Sequence, residues 1–183
     1  MPTKRVTEGK FPIYTLHMSL TAIVITVSDS AFAGHREDLS GPAVADFLDE
    51  HGFEVRGSAI VPDDAAQIRD AVLDACPRAN VVVTTGGTGI ASRDITPEVT
   101  REICDKLIEG IPERMRAEGL KHTPLAPLSR GVCGTRESTL ILNLPGSPKG
   151  AVESLAAVIN LLPHIIDLLH GKTGHDNCSG AGA

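Results

Sequence analysis

No stretch of this 183-residue chain is long and apolar enough to span a bilayer as a helix. Its most apolar segment, residues 156–169, is short and interrupted by Asn160, Pro163, His164 and Asp167. Residues 1–19 lack the continuous apolar run of a secretory signal. The cysteines, Cys76, Cys104, Cys133 and Cys178, form no CxxC pair, so reduced thiols in a cytoplasmic protein are expected. A surplus of basic charge is also missing: the formal net charge is −6, which argues against a nucleic-acid binder. Anionic small ligands remain compatible with it, because local arginines and backbone N–H groups bind phosphate on an acidic protein too. His170 and His175 fit no zinc-ligand spacing, and no Ser/His/Asp or Cys/His arrangement stands out. Cys104 reads as core packing within a helix.

What is present is an alternation of apolar strands and amphipathic helices. Leu20–Val27 reads as a first buried strand, followed by a polar loop and a helix over 42–51 that Gly52 ends. A second strand over 54–61 stops at Pro62-Asp63-Asp64, and Asp64 can cap a helix over Ala65–Ala75. Ile68, Val72 and Leu73 share one side of that helix. The run 81–83 is a third buried strand. After Gly110 the rhythm changes to short helical pieces, a strand–turn–strand over "GVCGTRESTLILNL", and an amphipathic helix over 151–162. No repeat or linker divides the pattern. It predicts an α/β protein: one three-layer αβα domain over 20–171 with a mostly parallel sheet, an N-terminal leader over 1–19 and a fraying tail over 172–183.

The third strand opens into "TTGGTGIASRDITPEVT". Gly86, Gly87 and Gly89 leave the backbone bare enough for a ligand to approach, and successive N–H groups in such a turn form an anion nest. Lys followed by Ser or Thr, which a P-loop needs, is absent, and the spacing fails the GxGxxG dinucleotide pattern at Ser92. Thr96 reads as a helix N-cap with Pro97 and Glu98 behind it. The stretch therefore reads as a phosphate seat with Asp94 beside it.

In an open α/β sheet, ligands bind outside the carboxyl ends of the strands. That places Ser28-Asp29, Asp63, the Thr85-Gly86-Gly87-Thr88-Gly89 loop and the segment from Asn143 to Lys149 in one region. Asp63 and Asp94 are hard oxygen donors suited to Mg²⁺, while Arg93, Arg130 and Lys149 can offset anionic charge. Each residue has a plainer use as well. Asp63 and Asp64 also serve turns and caps, Ser28-Asp29 also reads as an ordinary turn, and the basic residues also suit a solvated surface.

In that order, "TVSDSAFAG", "VPDD", "TTGGTGIASRDITPEVT", "PLSRG" and "LILNLPGSPKG" resemble the molybdopterin adenylyltransferase family, which includes the G domain of gephyrin. The resemblance covers residues 20–170 or so and implies a molybdopterin-binding-protein-like fold. It implies transfer of AMP from Mg·ATP to the terminal phosphate of molybdopterin, with release of pyrophosphate. It assigns catalysis and Mg²⁺ binding to Asp63 and Asp94. Substrate binding falls to Ser28, Asp29, Thr85, Gly86, Gly87, Thr88, Gly89, Arg130, Asn143, Pro145, Gly146 and Lys149, with Ser129 of the "LSR" motif on the molybdopterin side. It further implies a homotrimer and hand-over of product to a molybdate-inserting enzyme. The rival reading is a non-catalytic molybdopterin-binding or scaffold module of the same fold.

Overall fold

A computed structural model of the chain describes residues 20–171. The leader and tail expectations, with His175 and Cys178, lie outside the described residues. Six strands form one sheet: β1 (Leu20–Val27), β2 (Phe53–Val61), β3 (Val81–Thr85), β4 (Lys106–Leu107), β5 (Cys133–Arg136) and β6 (Thr139–Leu144). Their spatial order is β2-β1-β3-β6-β5-β4. The first four in that order run parallel; β5 pairs antiparallel with β6, and β4 antiparallel with β5, so β5 alone is reversed.

Seven α-helices accompany the strands among the described residues: α1 (Asp29–Phe32), α2 (Ser40–Glu50), α3 (Ala65–Ala75), α4 (Thr96–Ile103), α5 (Gly110–Gly119), α6 (Pro148–Ala156) and α7 (Leu162–Leu169). Alternate residues of the central strands feed two separate cores. Ala22, Val24, Val81, Val83, Leu140 and Leu142 pack with Val44 and Leu48 of α2, Met115 of α5, Leu155 of α6 and Ile166 of α7. Ile23, Ile25, Val82 and Ile141 pack on the opposite face with Ile68 and Val72 of α3 and Val99 and Ile103 of α4. This two-sided burial is why the strands read as unbroken apolar runs rather than alternating ones. The parallel α/β sheet covered on both faces matches the expectation.

Several local readings change. The helix expected from residue 42 begins at Ser40, because the Asp38 carboxylate accepts from the N–H groups of Ser40 and Gly41, both at 3.0 Å. The helix expected over 151–162 ends at Ala156, where Val158 N–H donates three residues back to Leu155 O at 3.0 Å, and a separate helix, α7, starts at Leu162 with Pro163 in its first turn. Cys104 is the extended residue that terminates α4 rather than an interior one, although it does pack against the α3/α4 core. Thr96 is the first residue of α4 and not its cap; its hydroxyl is tied to Gly86 O. The short α1 and β4 escaped the sequence reading. By contrast, β1, α3 and the Asp64 cap fall where they were expected, with Asp64 Oδ1 accepting from Gln67 N at 3.0 Å.

β1 lies between β2 and β3, and the connecting helices α2 and α3 cover opposite faces. The strand order therefore reverses here, and a crevice opens outside the carboxyl ends of these strands.

Candidate active site

Four loops meet at that crevice. Ser28 and Asp29 follow β1, Asp63 follows β2, the glycine loop follows β3, and Pro145–Ser147 follows β6. Ser28 caps the short α1, accepting from Ala31 N at 3.3 Å. The first two loops are bolted together reciprocally. Asp29 N–H donates to Asp63 Oδ2 at 3.0 Å, and Asp63 N–H donates to Asp29 Oδ1 at 2.9 Å.

The glycine loop turns through left-handed conformations at Gly86 (φ 106°) and Gly87 (φ 62°). A side chain at Gly86 would strike Val27 O, so only glycine fits there. Thr96 holds the loop from behind: its N–H donates to Gly87 O at 3.1 Å and its hydroxyl to Gly86 O at 3.1 Å. The bare positions lie directly against the two acids. A Cβ on Gly87 would lie 3.2 Å from Asp63 Oδ1, and one on Gly89 would lie 2.7 Å from Asp94 Oδ2. Asp94 Oδ2 also accepts from Ala91 N at 2.8 Å, which fixes the carboxylate against its own loop. Carboxylates carried by loops 31 residues apart (94 − 63 = 31) thus flank one three-residue stretch of backbone.

Two cavities share this wall. The larger, of about 520 Å³, extends from Gly87–Gly89 and Asp94 past Ser129 to Met115, Leu125 and Leu128. The smaller, of about 200 Å³, is lined by Ser28, Asp63, Thr85, Arg93 and Asp94, with Arg36 and Asp38 at its far side. Gly87, Asp94 and Gly146 line both.

Burial is the largest influence on Asp63 and raises its pKa above the usual carboxylate value. The N–H of Asp29 pulls it down, but the charges of Asp29 and Asp94 push it up again, against a lowering by Arg93. A crowded acid of this kind gains from a nearby cation. Among the described residues no group of three or more His, Cys, Asp or Glu forms a closed metal cage. The donor set nonetheless fits Mg²⁺, which usually takes one or two carboxylates and completes its shell with water and substrate phosphate.

The structure separates the expected site residues. Ser28, Thr85, Gly86, Gly87, Thr88, Gly89, Ser129, Pro145 and Gly146 line one or both cavities. Asn143 does not: it is fully buried, its amide donating to Thr84 and Thr100 hydroxyls at 2.9 Å and accepting from Val132 N at 3.1 Å. Its side chain joins β6 to α4 and the 131–132 segment, so it is a core polar link and no substrate contact. Lys149 lines neither cavity and pairs loosely with Glu153 at 3.8 Å. Arg130, expected against anionic substrate, points its guanidinium into the glycine loop instead. Asp29 braces Asp63 and is not among the cavity-lining residues. Asp38 was missed. It lines the smaller cavity and accepts from Thr26 Oγ1 at 2.6 Å as well as from the start of α2. Its position two residues before "SGP" was a legible capping signal.

An open α/β sheet with acids flanking a bare glycine loop at its switch point is an arrangement suited to phosphorylated ligands. A family model described as a probable molybdopterin binding domain matches residues 23–164, and the chain belongs to that family. It is 42% identical over 162 residues to a Helicobacter pylori (strain J99) protein named molybdopterin adenylyltransferase, covering 86% of this chain and 90% of that one. It is 35% identical over 153 residues to the Escherichia coli (strain K12) protein of the same name, covering 81% and 77%. Among solved structures, the molybdopterin biosynthesis enzyme MoaB from Thermus thermophilus is similar with a TM-score of 0.79 at 47% identity, covering 84% of this chain and 98% of that one.

Proposed function

We propose that the protein is a molybdopterin adenylyltransferase, a nucleotidyltransferase that moves AMP from Mg·ATP to the terminal phosphate of molybdopterin and releases pyrophosphate. One observation carries the reading: Asp63 and Asp94 lie against Gly87 and Gly89 of a single loop, where two cavities meet. The molybdopterin phosphate is an oxyanion nucleophile at neutral pH, so no general base is needed. That agrees with a crevice whose described lining contains neither histidine nor cysteine. What the reaction demands is alignment of two anions and neutralisation of their repulsion.

In this reading the larger cavity takes molybdopterin, its apolar floor meeting the pterin and Ser129 donating a hydrogen bond to it. The smaller, polar cavity takes the nucleotide phosphates, with Arg93 and the backbone of Gly86 and Gly87 facing them, while Thr88 and Gly89 face the larger cavity. Among the described residues, no hydrogen bond from Thr88 N–H or Gly89 N–H to the protein is present, which leaves both donors to a ligand. Asp63 and Asp94 would hold Mg²⁺, which when bound supplies charge neutralisation for the phosphates. The rigid pairing of Asp63 with Asp29, and of Asp94 with Ala91, keeps both acids oriented without substrate.

The same reading carries a cytoplasmic homotrimer, testable by light scattering. It also carries delivery of the product, an activated phosphoanhydride, to a molybdate-inserting enzyme. The deciding experiment incubates the protein with molybdopterin, ATP and Mg²⁺ and follows adenylylated pterin and pyrophosphate together. Formation of both in equal amounts is expected. Tight pterin binding without any pyrophosphate would replace the enzyme with a binding module.

A further inference from the structure

Arg130 is the one basic residue of the "LSR" segment, and its surroundings are unlike those of a waiting anion ligand. Its Nε donates to Gly89 O at 2.6 Å, and one terminal nitrogen donates to Asp94 O, also at 2.6 Å. The other terminal nitrogen pairs with the Glu98 carboxylate in the first turn of α4. Its backbone N–H donates to Thr88 O at 2.9 Å. A single residue thus holds both ends of the exposed 89–94 segment and the residue before it. It contacts the loop from a position 36 to 41 residues further along the chain.

We propose that Arg130 is a positioning residue: a brace that fixes the shape of the 89–94 segment and so aims the Asp94 carboxylate. The planar guanidinium suits this because its donors radiate in a fixed fork, so two carbonyls and a carboxylate are met at once. Lysine, with a single charged nitrogen on a flexible stem, cannot span the three acceptors. Arg130 directly follows Ser129, which lines the larger cavity, so the brace also fixes that cavity relative to the acids. The Glu98 pair is partly exposed and adds little to folding stability, but its charge-assisted bond holds the guanidinium more firmly than a neutral acceptor would. Its part is to hold the guanidinium in the plane from which the two carbonyls are reached. This inference rests on the adenylyl-transfer reading for its catalytic consequence, but not for its structural content.

Three variants test it: Arg130→Lys, Arg130→Ala and Glu98→Gln, each measured for AMP-transfer kinetics, for amide hydrogen exchange over residues 87–94 and for Mn²⁺ affinity. Misplacing a catalytic group by about 1 Å costs on the order of 10²-fold in rate. Both Arg130 variants should therefore lose about 10²-fold in kcat, with KM for ATP changed only a few-fold. Glu98→Gln should lose about tenfold in kcat, and the loop amides should exchange faster in all three. An arginine that binds substrate anion directly predicts the opposite for Glu98→Gln, because removing a neighbouring negative charge would lower KM and leave exchange untouched. That result overturns the proposal. If Arg130→Ala does not fold, Glu98→Gln carries the decision, since it alters a partly exposed side chain. If the wild-type protein transfers no AMP, the functional reading falls. Hydrogen exchange, together with Mn²⁺ affinity read by paramagnetic resonance, then decides the brace on its own: faster exchange with weakened Mn²⁺ binding supports it, and unchanged values refute it.

Discussion

The two cavities that meet at Asp94 are built from different material. The larger has Met115, Leu125 and Leu128 on its floor, with Arg116, Thr123, Ser129, Glu153 and Ser154 as polar groups around it and the shared glycine wall at one end. The smaller is lined by Asp38, Asp63, Arg36 and Arg93, with hydroxyls and bare backbone between them. A flat ring system gains by leaving water for the first, whereas only a charged, hydrated group gains from the second. The shared residues, Gly87, Asp94 and Gly146, have small side chains or a single oriented carboxylate, so two ligands can approach from either side. In the proposed reading, binding and chemistry are thereby separable: the first cavity would hold a body, and the second would assemble charge.

Breaking the shared wall should have the largest effect. Asp94→Ala should lower pyrophosphate release by about 10³-fold, a loss of transition-state charge stabilisation, while pterin affinity measured by fluorescence titration changes by less than about threefold. Equal losses in both would erase the distinction between the cavities. Next comes Gly87→Ala, whose Cβ would be driven against Thr96 Oγ1 from a left-handed backbone. About 1–3 kcal/mol of strain should appear as a lower melting temperature, and transfer should fall with it. Ser129→Ala sharpens the contrast from the other side. Its pterin affinity should drop about tenfold, the loss of one hydrogen bond to a polar or charged group, with ATP affinity intact.

The smallest expected effect is a pH signature confined to the polar cavity. Asp63 binds its proton more tightly in the folded protein than its ordinary value of 3.8, mainly because it is partly buried. The folded state therefore takes up more protons than the unfolded chain between the two pKa values. The resulting stabilisation is fully present below 3.8 and is lost as pH rises through the folded value. Melting curves across pH 4 to 7 should accordingly show Asp63→Asn gaining stability relative to wild type as pH rises. Mn²⁺ affinity of the wild type should move oppositely, weakening as the pH falls and the carboxylate protonates. A flat difference in the melts would mean that Asp63 is better solvated than its position implies.

Much of this architecture was legible in local signals. The β-branched runs of β1 and β3, the Asp64 cap and the glycine cluster act over a few residues, and they formed as read. The ordered motifs pointed to the family to which the chain belongs. The less legible residues make their bonds far along the chain. Arg130 reads as a free cation until its acceptors at Gly89 and Asp94 come into view. Asn143 sits in a motif that reads as ligand-facing, yet its partners Thr84 and Thr100 enclose it in the core. Thr96 has the composition of an N-cap, but Gly86 O captures its hydroxyl.

Chain-local chemistry thus determined which segments form strands, which turns need glycine, and which acids stand at strand exits, because those preferences arise within one or two turns of backbone. Folding alone decided that Asp63 and Asp94 would flank the same loop, that Arg130 would be bound to carbonyls, and that one wall would serve two cavities. Those outcomes depend on β2, β1, β3 and β6 being laid side by side in that order. No periodicity in the sequence records the direction in which a side chain points once distant segments have come into contact.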